Sequence, residues 1–151
     1  MKYYILSIGN MKKSPENEIF NKYLKRLTHK LFLKEYVSHL PSGQARIKDE
    51  CKNLLDMVNE NSKLILLDER GENISSNGFS NILTKFRNES FNNIYFIIGG
   101  ADGVTEEVFK KADKIFSFGR MTWPHILTRL MLIEQIYRSE TIISGHPYHR
   151  Q

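Results

Sequence analysis

The sequence predicts an α/β fold, a mainly parallel sheet flanked by helices, formed by a single domain over residues 1–151. Three observations predict it. Short apolar runs alternate with stretches of helical period, the breaks between them are brief, and no linker interrupts the series. Strands separated by helix-length segments pair in parallel through crossovers, and such a sheet is covered on both faces.

Each element has its own signal. Residues 3–9 form a buried apolar run. Ser14 and Pro15 supply an N-cap and a proline in the first turn of a helix. Its stripe is Ile19, Phe20, Tyr23, Leu24, Leu27 and Leu31. A second strand is expected over 32–40, where alternation is imperfect. After Pro41-Ser42-Gly43, a helix carries Ile47, Cys51, Leu54, Leu55 and Val58 on one side. Residues 64–67 are a strand that should end at Asp68-Glu69-Arg70-Gly71. Ser75 or Ser76 caps the next helix, with Phe79, Ile82, Leu83 and Phe86 inward. A strand over 94–98, a helix from 105 to about 111 and a strand over 115–118 precede the last helix.

That last helix, residues 124–139, carries Ile126, Leu127, Leu130, Met131, Leu132, Ile133, Ile136 and Tyr137 around most of its girth. A helix so apolar needs cover on more than one side. The sheet covers one side, and a second copy of the chain is expected on the other, making a homodimer.

Composition narrows the class. With 40% apolar and 26% charged residues the chain reads as globular. It has no apolar run long enough for a membrane span, and its first residues lack the apolar core of a secretory leader. Cys51 is alone, so no internal disulfide forms, and a buried thiol and a cytoplasmic location are expected. The net charge of +5 is concentrated early: residues 1–40 hold eight Lys/Arg against three Glu. Lys12, Lys13, Lys22, Lys25, Arg26, Lys30 and Lys34 read either as an RNA-binding surface or as a solvated helix face.

Chemistry concentrates in two loops. Ile94–Ile98 stops at Gly99-Gly100-Ala101-Asp102-Gly103, and 115–118 meets Gly119-Arg120-Met121-Thr122-Trp123-Pro124-His125. Loops after strand ends are where open α/β sheets bind small ligands. Neither loop has the G-x-G-x-x-G spacing, and no Gly-Lys-Ser/Thr follows. A nucleoside without a phosphate chain therefore fits better than a nucleotide.

Five segments in one order carry a resemblance: Leu-Leu-Asp-Glu-Arg-Gly at 66–71, Phe-Ile-Ile-Gly-Gly-Ala-Asp-Gly at 96–103, Ser-Phe-Gly-Arg-Met-Thr-Trp-Pro-His at 117–125, Leu-Ile-Glu-Gln-Ile-Tyr-Arg at 132–138 and Gly-His-Pro-Tyr-His-Arg at 145–150. Together they resemble the bacterial large-subunit ribosomal RNA pseudouridine N3-methyltransferases, small members of the SPOUT (trefoil-knotted) class. The resemblance spans essentially the whole chain. It implies a C-terminal trefoil knot, which general connection rules would not predict. It also implies an S-adenosylmethionine pocket made by Leu67, Gly99, Gly100, Phe118, Gly119, Arg120, Met121, Thr122 and Trp123. The substrate would be ribosomal RNA, expected in the assembled ribosome.

By the same resemblance, Tyr148, His149 and Arg150 face the substrate as catalytic groups, supplied across the dimer. A base is assignable only nominally: His149 has a suitable ordinary pKa, with Asp102 or water as alternatives. His146 and His149 lack a third partner, so no metal is expected. Arg120 and Arg138 fit either RNA phosphate or pairing with Glu134 or Glu140 across the dimer. Other classes stay open: a non-catalytic RNA-binding dimer, a SPOUT enzyme for another RNA, and a flavodoxin-like enzyme with a phosphate-bearing cofactor.

Overall fold

A computed structural model describes residues 1–150. Five strands, β1 (Lys2–Ile8), β2 (Lys30–Tyr36), β3 (Lys63–Asn73), β4 (Asn93–Ile98) and β5 (Lys114–Ser117), pair in parallel in the order β2-β1-β4-β3-β5. Alternate residues of the strands separate two cores. Tyr3, Ile5, Ile65, Ile94, Phe96 and Phe116 face helices α1 (Pro15–Leu24), α3 (Ser76–Asn88) and α5 (His125–Ile143). Leu6, Ile8, Leu64, Leu66, Tyr95 and Ile97 face α2 (Gln44–Asp56) and α4 (Glu106–Lys111). Central strands buried on both faces are the reason their sequence reads as unbroken apolar runs.

Local signals set most boundaries. Ser14 Oγ accepts from the amide of Asn17, and Pro15 opens α1. Ser75, rather than Ser76, caps α3 through the amide of Gly78. Cys51 is buried, its sulfur accepting from the amide of Thr105. The expected α1 stripe runs too far, because the helix ends at Leu24, Leu27 lies in the following turn and Leu31 belongs to β2.

One strand departs from expectation. β3 does not end at Asp68 but resumes pairing with β5, so that Phe116 is opposite Leu67 and again opposite Glu72. Residues 68–71 bulge out between the two pairings. Gly71 makes the close crossing possible: a Cβ there would lie 2.5 Å from the Phe116 carbonyl carbon. The turn residues were legible; their use as a bulge pressed onto a neighbouring strand was not.

α5 packs against α1 and α3, and two buried charges fix its position. At one end the Arg129 guanidinium donates to Glu35 Oε1 on β2 and to the carbonyl of Ile8 on β1, each at 2.6 Å. Near the other end Glu140 accepts from both amides of the turn at Thr28 and His29, from Thr28 Oγ1, and from His29 Nδ1 at 2.8 Å. Neither residue is free to pair across a dimer. Arg138 likewise pairs within its own helix, with Glu134. Leu132, Ile133 and Ile136 are fully buried in the chain's own core, whereas Leu127 is exposed and Met131 half-buried. The apolar girth of α5 is thus partly explained within one chain.

Glu140→Ala should cost about 3 kcal/mol in urea unfolding, because two part-buried amides lose a buried charged acceptor. Glu107→Ala, which removes an exposed pair with Lys111, should cost under about 1 kcal/mol. Equal losses would show that the Glu140 clamp contributes nothing special.

Candidate active site

The C-terminal ends of β3, β4 and β5 open into one cleft of about 760 Å³. Its walls are residues 67–70, 98–104 and 116–119, with Met121 to His125 and Thr128 from the approach to α5. Of the expected cofactor residues, Leu67, Gly99, Gly100, Phe118, Gly119, Met121, Thr122 and Trp123 all line it; Arg120 is exposed and does not. Three loops from distant parts of the chain meet here because β3 lies between β4 and β5.

The cleft sits one strand away from the point where the sheet reverses its winding, between β1 and β4. That crevice, the usual ligand position in such sheets, is filled. Arg129 reaches the Ile8 carbonyl there, and Glu50 of α2 lies beneath the glycine loop.

Gly99 and Gly100 are required for reasons other than direct contact with a ligand. A Cβ on Gly99 would stand 2.5 Å from Val104 Cγ1, and one on Gly100 would stand 2.7 Å from Glu50 Oε2. The loop folds onto its own far limb and onto a buried carboxylate, so a branched side chain at 99 would deform the wall itself.

The electrostatics are one-sided. Asp68, Glu69 and Asp102 line the cleft, and its one cationic side chain, Arg70, is bound to Asp68 at 2.9 Å and stacked over Phe109. Burial works against the Asp68 carboxylate, yet its bonds from Arg70 prevail and hold its pKa below the ordinary range. Thr122 donates to Glu69 Oε2 at 3.2 Å, tying the third loop to the first. His125 is half-buried, and burial followed by the nearby Arg129 lowers its pKa, so its ring is neutral at neutral pH. Asp68, Glu69 and His125 lie in segments singled out in the sequence but were given no site role there, and Thr128, just beyond, went unremarked.

The C-terminal group lies elsewhere. None of Tyr148, His149 and Arg150 lines the cleft of its own chain. The chain reverses after α5, where the His146 amide bonds the Thr141 carbonyl, and folds back on the helix. Tyr148 donates to Glu134 Oε1 at 3.1 Å, meets Tyr23 at 3.3 Å, and lies under the Arg138 guanidinium. Burial first, then the bonds with Tyr23 and Glu134, pushes its phenol pKa far up, leaving it a neutral donor. Arg138 donates to His149 Nδ1 at 3.2 Å. An arginine only donates, so that nitrogen accepts and the ring proton sits on Nε2. His146 Nδ1 instead accepts from the Tyr148 amide. Among the described residues no group of three or more His, Cys, Asp or Glu is placed to hold a metal ion.

Comparison with known proteins agrees with this geometry. The family described as "Predicted SPOUT methyltransferase" matches residues 1–149. Proteins named ribosomal RNA large subunit methyltransferase H are similar over 99% of both chains: 40% identical in Paramagnetospirillum magneticum and 41% in Rhodospirillum centenum. A probable methylase family protein from Haemophilus influenzae superposes with a TM-score of 0.57 at 10% identity, covering 99% of this chain and 70% of that one, and so shares the fold. With the family match and the relatives both running nearly end to end, the chain belongs to the SPOUT methyltransferases and is an enzyme of methyl transfer.

Proposed function

We propose that the protein methylates N3 of a pseudouridine in large-subunit ribosomal RNA, using S-adenosylmethionine and acting as a homodimer. The observation that carries the cofactor assignment is the cleft itself: three loops, a carboxylate lining and no lysine. A sulfonium is cationic and suits Asp68, Glu69 and Asp102; a triphosphate would be repelled by them. Similarity to proteins named for the large ribosomal subunit supports the substrate, and a ribosomal substrate places the reaction in the cytoplasm. On this reading the crossing of residues 68–71 over β5 belongs to the family's knot.

S-adenosylmethionine supplies an electrophilic methyl group. The protein has to orient the base so that its N3 forms the new C–N bond as the S–CH3 bond breaks, and to take up the N3 proton. Most of the acceleration comes from that orientation. Leu67, Phe118 and Trp123 offer apolar and aromatic surface to an adenosine, and the backbone around Gly99 and Gly100 offers polar groups.

The base that gives up its proton faces groups from the other copy. α5 is 19 residues long, about 28 Å at the helical rise. Its N-terminal end borders the cleft, and the tail folds back along the helix toward Glu134 and Tyr23, so Tyr148, His149 and Arg150 serve the cleft of a partner whose α5 runs the opposite way. Exposed Met121, Trp123 and Leu127 supply the apolar surface for that pairing. In its present contact His149 carries its proton on Nε2, so it can take up another only at Nδ1, which requires release of Arg138. Tyr148 remains protonated and donates.

Isothermal calorimetry should show S-adenosylmethionine binding at least about tenfold more tightly than ATP, and Glu69→Lys should reverse part of that preference. Tighter ATP binding by the wild type would overturn the cofactor assignment. Tritiated-methyl transfer to free ribosomal RNA, large subunits and whole ribosomes should label whole ribosomes best; no label in any of them would remove the proposed activity.

Leu127→Asp should give a folded monomer in sedimentation, since this side chain is exposed in the single chain, whereas Ile133 is part of the core and would report on folding instead. That monomer should keep S-adenosylmethionine affinity but lose turnover by about a hundredfold or more, as expected for an interaction made only in the transition state. A fully active monomer would show that the tail serves its own cleft.

A further inference from the structure

The basic residues of the first βαβ unit do not form one surface. Lys22, Lys25 and Arg26 belong to α1 and its end, on the α5 side of the sheet. Lys30 and Lys34 belong to the edge strand β2 and flank Phe32 at every second position, so all three point to the opposite face. Register places Tyr4 of β1 directly beside Phe32, and Tyr95 of β4 directly beside Tyr4.

These three rings form a stacked row across three strands. Tyr95 and Tyr4 have centroids 4.5 Å apart at 12°, and Tyr4 and Phe32 have centroids 5.2 Å apart at 22°. The row emerges from the core as it nears the sheet edge: Tyr95 is buried, Tyr4 half-buried, and Phe32 is 41% exposed. Lys34 Nζ lies 5.5 Å above the Tyr4 ring, and Lys2 sits two residues before Tyr4 on the same face. α2 is bonded to the far end of β2, where Tyr36 donates to Asp49, and Phe32 stays partly open to solvent. The nearest strand carboxylate, Glu35, points to the other face and is held by Arg129.

We propose that Phe32, continued inward by Tyr4, is a stacking platform for an unpaired RNA base, with Lys2, Lys30 and Lys34 holding the adjoining phosphates. A sheet face that presents an exposed aromatic ring, backed by a stacked row, amid lysines meets both needs of single-stranded nucleic acid: π-surface for the base and cations for the backbone. Purely apolar partners would leave three lysines desolvated, and an acidic peptide would make no use of the ring row. The platform lies toward the N-terminal ends of the strands, away from the cleft at their C-terminal ends, so it grips RNA remote from the reacting base. This rests on the ribosomal RNA reading above and adds a second, separate contact to it.

Fluorescence anisotropy with a short, unstructured, labelled oligoribonucleotide tests the platform directly. Phe32→Ala should weaken binding about tenfold, and Phe32→Tyr should restore it. Lys30→Ala with Lys34→Ala should lower the slope of log affinity against log salt by about 1.4, the loss of two single-strand phosphate contacts. All variants should keep wild-type S-adenosylmethionine affinity, which also shows that they fold. Unchanged RNA binding by Phe32→Ala overturns the proposal, as does a change in its sedimentation, which would make this edge a contact between copies. If binding depends on Phe32 but the wild type labels no ribosomal RNA, the platform stands and the proposed activity falls; labelling with no Phe32 effect gives the reverse.

Discussion

The structure depends on how α5 is held. Its apolar side, Leu132, Ile133 and Ile136, gives the helix affinity for the sheet, but greasy contact alone leaves rotation and sliding free. Arg129 and Glu140 remove that freedom. One bonds the finishing ends of β1 and β2, the other the turn that leads into β2, and a helical segment of fixed length separates them. A buried charge that loses its partners is costly, and sliding the helix would take Arg129 from Glu35 and Ile8 and Glu140 from Thr28 and His29, so the pair favours one register. The segment from Gly119 to Pro124 is therefore delivered to the cleft, and the chain end is delivered away from it.

The second constraint is the contact between the 68–71 bulge and β5. It brings Asp68 and Glu69 to the same wall as Thr122 and fixes the spacing of the loops. The wall so formed is acidic. The crevice between β1 and β4 illustrates the same economy: Arg129 reaches into it and bonds the Ile8 carbonyl.

Much of this was legible in the chain and some was not. The strands, caps and cleft loops announce themselves locally, through Ser14-Pro15, through the apolar run 94–98 and through the break at Gly99. What escaped depends on distant partners. Nothing near Gly71 tells that it meets Phe116, and nothing near Gly99 tells that its limiting neighbour is Val104. Arg129 and Glu140 look like ordinary polar positions on an apolar helix until Glu35, Thr28 and His29 are placed opposite them. Lys30 and Lys34 count toward a basic segment in sequence, and only strand geometry moves them to the other side of the sheet from Lys22.

The carboxylate lining of the cleft has a bearing on turnover. On the proposed reading of the cofactor, methyl transfer would turn a sulfonium into a neutral thioether, so the attraction that Asp68, Glu69 and Asp102 would exert on the donor would end in the same event as the chemistry. A cleft built this way would discriminate against its own by-product and favour exchange for fresh donor.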